Sequence, residues 1–253
     1  MAAVNGGLNQ LSSREALSAL AWLVDAGVDT LVDDTPFRWL APPEPVQAPP
    51  PPVAELIAPC EADAVIEAIA TVIGVDSLSA LQAALSEFDG CALATHGNPP
   101  LFADGTPGSA LMLVGDMPSA DAVLGGDAGL LLDRMLAAIG LGRDSAYLAN
   151  LVYWPTPGGR SPAAAEIAAC APFLRRQIEL AKPRAILALG GAAAAALTGT
   201  SGGINRLRGK WQTMSGTDVP VMPSFHPTQL LAQPSLKALA WRDLQALKAK
   251  LDD

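Results

Sequence analysis

The apolar positions of this chain follow two periods, which together predict an α/β fold. Four short apolar runs, each ended by Gly, Pro or a polar turn, have the length expected of buried strands. Longer segments with apolar residues three and four apart predict helices between them. Strands that alternate with helices predict a three-layer α-β-α domain with a mostly parallel, four-stranded central sheet. The predicted strands are 110–114, 146–152, 184–189 and 219–223, and the predicted helices are 61–73, 77–87, 130–139, 162–181, 191–197 and 235–251.

The segment before this domain has a different pattern. Residues 13–26 have helical spacing of leucines and end at Gly27, whereas residues 42–52 contain seven prolines, which hold a backbone extended and unpaired. We therefore expect an N-terminal helical arm at 1–41, a Pro-rich linker at 42–53 and one α/β domain at 54–253. The proline segment is also a candidate polyproline ligand for a partner, although spacers are the commoner use.

Composition narrows the class of protein. Half of the 253 residues are apolar, which suits one good core, and no run of eighteen apolar residues lacks a charge or Pro. The first residues lack the basic-then-apolar order of a signal peptide. Three widely spaced cysteines, Cys60, Cys91 and Cys170, do not indicate a disulfide framework. We expect a soluble, cytoplasmic, monomeric protein without a membrane association.

Charge is divided unevenly along the chain. The net charge is −9, yet the part up to Asp133 holds 2 basic and 18 acidic residues and the remainder holds 14 basic and 7 acidic, which gives −16 and +7. This asymmetry places any anion-binding face in the C-terminal half. The alternative is that each half simply presents a solvated surface of its own sign.

Polar and glycine residues follow each predicted strand, where ligands bind in open α/β sheets. Asp116 and Asp121 follow the first strand and could activate water or stabilise positive charge, or could instead neutralise a helix N-terminus. Asn150 ends the second strand, where its amide could read a hydrogen-bonding edge or cap a turn. His226 follows the fourth strand and is either catalytic or structural. Gly190 and Gly191, after the third strand, fit helix–sheet packing better than a phosphate-binding loop.

These residues together resemble the uracil-DNA glycosylase superfamily, most closely its family 4 branch. That family has a Gly-Glu-Ala-Pro-Gly-x-Glu motif, an Asn-Val-Val-Lys-Cys strand end and a His-Pro-Ser-x-Leu-Leu motif. This chain has Gly115-Asp-Met-Pro-Ser-Ala-Asp121, Asn150-Leu-Val-Tyr-Trp154 and His226-Pro-Thr-Gln-Leu-Leu231 at the corresponding places. The similarity extends over about residues 88–251, and the ordered succession of motifs is more specific than any one of them.

The resemblance implies a base-flipping DNA repair enzyme that cleaves the N-glycosidic bond of uracil or a related base. It implies that Asn150 pairs with the base, that His226 stabilises the departing base, and that Asp116 and Asp121 position water or balance the sugar cation. Gly115, Met117 and Leu124 would form the rest of the base pocket, and Leu230 or Leu231 would wedge into the duplex. The remaining implied DNA contacts are Pro227, Arg160, Arg206, Arg208 and Lys210.

The chain departs from the family at two places. Phe88 and Trp154 occupy two of the four positions that hold iron-sulfur ligands in the family, and only Cys91 and Cys170 match, so we predict no cluster, no other metal and no cofactor. The first motif has Asp for both Glu residues, and about five residues are missing after Asp121, which places Leu124 where the family has a stacking phenylalanine. Two alternatives to an active glycosylase therefore remain: a non-catalytic DNA- or partner-binding homologue, and a small-molecule base or nucleotide binder.

Overall fold

The computed structural model describes residues 59–200 and 202–252. The chain divides into two units, Met1–Ala54 and Glu55–Asp253, and the described residues belong to the second. The predicted arm at 1–41 and linker at 42–53 lie outside the described residues, so the domain boundaries stay a prediction. In the part of the chain that the structure describes, no helix has both the length and the apolar character needed to cross a bilayer.

A central sheet organises the domain, as the apolar runs predicted. Its four inner strands are parallel: β2 (Leu111–Gly115), β3 (Ala146–Asn150), β4 (Ala185–Leu189) and β6 (Pro220–Ser224). The prediction of four strands was incomplete, because two short antiparallel strands close the edges: β1 (Asp104–Gly105) and β5 (Gln212–Thr213). The strand order is β1-β3-β2-β4-β6-β5. Two-residue strands are too short to have a recognisable apolar period.

Eight α-helices of the described chain complete the fold. They are α1 (Pro59–Val72), α2 (Leu78–Glu87), α3 (Gly126–Ala138), α4 (Ala164–Ala181), α5 (Gly191–Thr198), α6 (Ile204–Leu207), α7 (Pro227–Ala232) and α8 (Lys237–Asp252). Six of them lie where the helical spacing predicted helices, whereas α6 and α7 are too short for such spacing to reveal. The helix α3 begins four residues before the predicted start.

Both faces of the sheet are covered, which confirms the three-layer α-β-α prediction. Alternate strand residues such as Leu113 and Leu187 pack with α3, α7 and α8 on one face. The intervening residues, such as Met112 and Ile186, pack with α4, α5 and α6 on the other. All residues of β2, β3 and β4 are buried, as expected of a parallel sheet between two helical layers. A third apolar cluster joins α1 and α2 to α4.

A buried ion pair lies beneath the end of β6. Asp243 of α8 is 1% exposed, and its carboxylate accepts hydrogen bonds from the Arg208 guanidinium and, at 2.8 Å, from Ser224 Oγ. Arg208 also donates to Leu239 O at 2.7 Å and lies over the Phe225 ring at 5.3 Å from its centroid. This network fixes residues 224–225, which lead directly into His226.

Replacing Asp243 with Ala is expected to destabilise the domain by about 3–5 kcal/mol, because the Arg208 charge would stay buried without its partner. Urea-induced unfolding measures this change in the free energy of unfolding. Asp252→Ala is the matched control, since it removes an exposed ion pair with Lys248 and should cost less than about 1 kcal/mol. Equal effects of the two variants would contradict a structural role for the buried pair.

Candidate active site

The carboxyl ends of the four parallel strands meet at one edge of the sheet. Gly115 at the end of β2 is in register with Asn150 at the end of β3, and Leu189 at the end of β4 is in register with Ser224 at the end of β6. The residues that follow these strands therefore face a common region. This is the region in which open α/β sheets bind ligands.

Gly115 allows the closest approach within the site. A Cβ atom added to this residue would lie 2.5 Å from Asn150 Oδ1 and 3.9 Å from His226 Nε2. Such a position leaves no room for a side chain beside Asn150. The absence of a side chain at Gly115 thus brings the Asn150 amide and the His226 imidazole to the same point.

Gly190 lies on the other side of the site and brings Asp116 next to His226. Its φ is 102°, a conformation that glycine adopts readily. An added Cβ would lie 3.2 Å from Asp116 Oδ2 and 3.5 Å from His226 Cβ. The interpretation of this glycine as a helix–sheet packing residue was therefore incomplete. Gly191, whose added Cβ would have only ordinary contacts with Ile204, is consistent with that interpretation.

Asp116 is held at the first turn of α5. Its Oδ1 accepts a hydrogen bond of 3.0 Å from the Ala193 amide. Burial raises the pKa of Asp116 to about 6, and the Ala193 hydrogen bond opposes that rise only in part. Asp116 is therefore an anion at neutral pH and becomes protonated in mildly acidic solution.

His226 is held in one tautomer by the helix that it caps. It is the N-cap of α7, Pro227 is the first helical residue, and His226 Nδ1 accepts a 3.2 Å hydrogen bond from the Thr228 amide. Because Nδ1 accepts, the proton of the neutral ring is on Nε2. Burial lowers the pKa of His226 to about 4, so the ring is neutral at physiological pH.

A cavity of about 460 Å³ opens beside Asp116 and His226. This volume is large enough for a pyrimidine nucleoside. Met117 and Leu124, both predicted to form the base pocket, line it. Thr156 Oγ1, which lies 2.8 Å from Met117 Sδ, contributes a hydroxyl to its wall. The complete lining is Asp116, Met117, Pro118, Ser119, Ala120, Leu124, Ala128, Pro155, Thr156, Gly159, His226 and Thr228.

Asn150 does not line this cavity. Its side chain is 1% exposed, and Nδ2 donates a 2.7 Å hydrogen bond to Val123 O. The segment that carries Val123 is short and well anchored. Ser119 Oγ accepts from the Gly125 amide at 3.0 Å, and Arg143 Nη2 donates to Leu124 O at 2.9 Å. The loop after Asp121 thus covers the Asn150 amide with backbone.

The remaining predicted site residues fall into two groups. Arg206 and Lys210 are exposed, as a phosphate contact requires, and Leu231 is 41% exposed. The other predicted residues do not lie where their predicted roles would require. Asp121 is exposed and does not line the cavity, Pro227 is buried, and Leu230 is only 1% exposed, so Leu231 is the better candidate for a wedge.

Two of the predicted phosphate contacts, Arg208 and Arg160, have carboxylate partners in the structure. The Arg208 guanidinium binds the buried Asp243 carboxylate and Leu239 O, so a phosphate contact by Arg208 would require this buried ion pair to break. Arg160 is exposed, but both of its terminal nitrogens bind the carboxylate of Glu166 in the first turn of α4. A phosphate contact by Arg160 would have to compete with this bidentate pair.

The residues that the resemblance places at cluster positions do not fit an iron-sulfur cluster. Phe88 and Trp154 are buried, and the Phe88 ring centroid lies 5.0 Å from that of Phe173. These apolar rings supply no ligand at two of the four positions. Cys91 and Cys170 are free thiols whose Sγ atoms are 3.9 Å apart. No group of three or more metal-ligating side chains occurs within the described ranges.

Sequence reasoning missed three contributors to the site: the Val123 carbonyl, the Thr228 amide and the Ala193 amide. One of them had a signal in the sequence. A proline is common at the first position of a helix, so His226-Pro227 indicated that His226 caps a helix and receives a hydrogen bond from its first turn. The Val123 carbonyl had no such signal, because a backbone contact depends on the loop path.

Comparisons with known proteins identify a family and several relatives of this chain. The family model of the uracil DNA glycosylase superfamily matches residues 102–245. The type-4 uracil-DNA glycosylase of Saccharolobus solfataricus is 31% identical over 160 residues, which are 58% of this chain and 74% of that protein. The type-4 enzyme of Pyrobaculum aerophilum is 30% identical over 178 residues, 66% of this chain and 91% of that protein. That of Sulfurisphaera tokodaii is 29% identical over 187 residues, 69% and 84% of the two chains.

The pKa values of Asp116 and His226 are displaced in opposite directions, which predicts how the stability of the protein depends on pH. Folding lowers the pKa of His226. The contribution of His226 to the free energy of unfolding is therefore fully present above a pH of about 6.5 and is lost as the pH falls to about 4. Folding raises the pKa of Asp116, so the contribution of Asp116 to the free energy of unfolding grows as the pH falls from about 6 to 3.8. Each displacement corresponds to at most about 3 kcal/mol, and the two largely cancel in the wild-type protein.

The substitution Asp116→Asn removes the Asp116 contribution, which opposes that of His226. Between pH 6.5 and 4 the variant should lose up to about 3 kcal/mol more stability than the wild type, because only the His226 contribution remains. Urea unfolding at several pH values measures the difference, and effects shared by the two proteins cancel. Asp121→Asn, at an exposed carboxylate, is the control and should follow the wild-type curve. Parallel curves for Asp116→Asn and wild type would contradict the burial of the Asp116 carboxyl group.

Proposed function

Because the chain belongs to the uracil DNA glycosylase superfamily, we propose that it hydrolyses the N-glycosidic bond of a flipped-out uracil, or a related base, in DNA. The proposal rests above all on one observation. A neutral His226 and an ionisable Asp116 flank Gly190 at the mouth of a cavity of pyrimidine-nucleoside size. The type-4 uracil-DNA glycosylases among its relatives support the same reaction.

His226 acts on the departing base. Cleavage of the glycosidic bond leaves the bonding electrons on the base, whose negative charge is shared by its carbonyl oxygens. The Nε2–H of His226 can donate to such an oxygen, since Nδ1 is already occupied by the Thr228 amide. A ring with a pKa of about 4 stabilises the anion through a hydrogen bond and stays neutral, so it does not need to release a proton afterwards.

Asp116 acts on the sugar. The oxocarbenium-like sugar carries positive charge, which the Asp116 carboxylate can offset, and the same carboxylate can orient the water that adds to the anomeric carbon. The proton of that water then passes to Asp116 or to solvent. The Ala193 amide fixes Oδ1, and a Cβ atom added to Gly190 would lie 3.2 Å from Oδ2 and 3.5 Å from His226 Cβ. The carboxylate can perform either task only when it is ionised, above a pH of about 6.

Recognition of the base requires Asn150 to exchange its hydrogen-bond partner. Its amide carries both a donor and an acceptor and can pair with the matching edge of uracil. In the structure the donor is committed to Val123 O and the side chain is buried. We infer that uracil replaces the Val123 carbonyl as the partner of Asn150 when it enters the pocket, while Met117 and Leu124 provide the apolar walls.

DNA binding uses the same end of the domain. An added Cβ on Gly191 would lie 3.7 Å from Ile204 N, so α6, which carries Arg206, begins beside the first turn of α5. Lys210 follows α6, and the exposed Leu231 is on α7 directly after the His226 cap. We propose that the two cations bind phosphates and that Leu231 fills the space left by the flipped nucleotide.

One observation favours a second candidate function, a DNA-binding homologue without catalysis. The amide of Asn150 is satisfied by the anchored loop at 119–125, so displacing Val123 carries a cost that the substrate must offset. An assay with uracil-containing single-stranded and duplex DNA separates the two. An abasic product supports the glycosylase. Salt-sensitive DNA binding without a product at stoichiometric protein supports the second candidate and contradicts the first.

Single-turnover excision of uracil is expected to depend on pH through Asp116. The rate should rise about tenfold per pH unit below pH 6 and level off above it, because the carboxylate must be ionised. Asp116→Asn should be slow and independent of pH over the same range. His226→Ala should lower the plateau by about 10²–10³-fold by removing one preorganised donor. A wild-type profile that follows a group titrating near 4 would exclude this role of Asp116.

Leu231→Ala should reduce excision from duplex DNA by about tenfold and change excision from single-stranded DNA little, because only the duplex requires a flipped nucleotide to be replaced. The measured quantity is the ratio of the two single-turnover rates. Leu130→Ala is the matched control, since Leu130 is 59% exposed on α3 and is not among the residues that line the cavity. An equal loss on both substrates would indicate general damage instead of a wedge.

A further inference from the structure

Cys91 and Cys170 form a buried thiol pair that the proposed reaction does not use. Their Sγ atoms are 3.9 Å apart, with Cys170 donating a hydrogen bond to Cys91, and the residues are 1% and 0% exposed. They are 79 positions apart in the sequence: Cys91 lies in the turns after α2, and Cys170 lies within α4.

The geometry suits a disulfide better than a metal ion. A disulfide requires the sulfurs at about 2.05 Å, and rotation of the side chains together with small adjustments of the backbone can provide an approach of about 2 Å. Cys91 is in an irregular segment beside Gly90, which can adjust more easily than a helix. A metal would need further ligands, and no third metal-ligating group joins the pair among the residues that the structure describes.

One side of the pair lies against a cavity through which a small oxidant would approach Cys91. Cys91 lines a solvent-facing cavity of about 450 Å³, together with Asp89, Gly90, Glu166 and Ala169. This cavity is distinct in its lining from the one beside His226. Small uncharged oxidants are favoured there, since the charged residues that line the cavity, Asp63, Glu67, Asp89 and Glu166, are acidic and repel anions.

We propose that Cys91 and Cys170 form a reversible intramolecular disulfide when the protein meets a peroxide. The Cys91 thiolate attacks one oxygen of hydrogen peroxide, which breaks the O–O bond, gives a sulfenic acid and releases hydroxide. The Cys170 thiolate then attacks the Cys91 sulfur, forms the S–S bond and displaces a second hydroxide. The two protons lost by the thiols convert both hydroxides to water. The thiols lose two electrons and the peroxide gains them, and a dithiol reductant reverses the change.

The order of attack is consistent with the surroundings of the sulfurs. The hydrogen bond from Cys170 is the largest influence on Cys91 and lowers the pKa of its thiol. Cys91 also lines the cavity, whereas Cys170 does not. The product would link α4 covalently to the segment that follows α2 and would close a loop of about 80 residues in the unfolded chain.

The test uses the full chain with Cys60→Ser, which leaves Cys91 and Cys170 as its only cysteines. Hydrogen peroxide at a low molar excess should lower the titratable thiols from two to none and the intact mass by about 2 Da, without covalent dimers. A peptide containing both Cys91 and Cys170 should appear in a digest, and dithiothreitol should restore both thiols. The oxidised protein should unfold about 5–10 °C higher than the reduced one.

Cys60→Ser/Cys91→Ser and Cys60→Ser/Cys170→Ser are the controls and should show no loss of 2 Da within a monomer. Because peptide mapping also works on the unaltered chain, the result does not depend on these variants folding. The proposal is overturned if both thiols survive peroxide, if they gain oxygen as sulfinic acids, or if the cross-link joins two chains.

Discussion

The site depends on how closely the four strand ends can approach one another. At Gly115 a Cβ atom would lie 2.5 Å from Asn150 Oδ1, and at Gly190 it would lie 3.2 Å from Asp116 Oδ2. These two glycines remove the side chains that would otherwise separate Asp116, Asn150 and His226. The close approach also removes water, and the resulting burial drives the pKa of Asp116 up to about 6 and that of His226 down to about 4. Packing thus sets the electrostatics of the site.

The rest of the domain holds this arrangement in place. The Arg208–Asp243 pair and Ser224 fix the strand that leads into His226, and the first turn of α7 selects its tautomer. The first turn of α5 holds Asp116 through the Ala193 amide. Two helix N-termini and one buried ion pair therefore determine where the reactive atoms lie. Phe88 and Trp154 are buried in the apolar cluster that joins α1 and α2 to α4, where the Phe88 ring packs against Phe173.

Much of the fold could be predicted from the sequence because it follows from short apolar runs bounded by turns. The four parallel strands and six of the helices produce such patterns, whereas the two-residue edge strands and the one-turn helices α6 and α7 do not. The same limits apply to the site. Asp116 and His226 could be placed at the same edge of the sheet, since parallel strands bring their carboxyl ends together. The burial of Leu230, the pairing of Arg208 with Asp243 and the cover that Val123 provides over Asn150 arise from tertiary packing and leave no mark in local sequence.

A nuclear magnetic resonance titration of the histidines tests most directly whether the site is built around a neutral His226 that presents its Nε2–H. The chain has only two histidines, so a His96→Asn variant leaves His226 as the single imidazole signal. The structure predicts a ring that is protonated on Nε2 and unprotonated on Nδ1, and that titrates near pH 4. A ring that titrates near its ordinary value of about 6.5, or one that carries its neutral-form proton on Nδ1, would contradict the account.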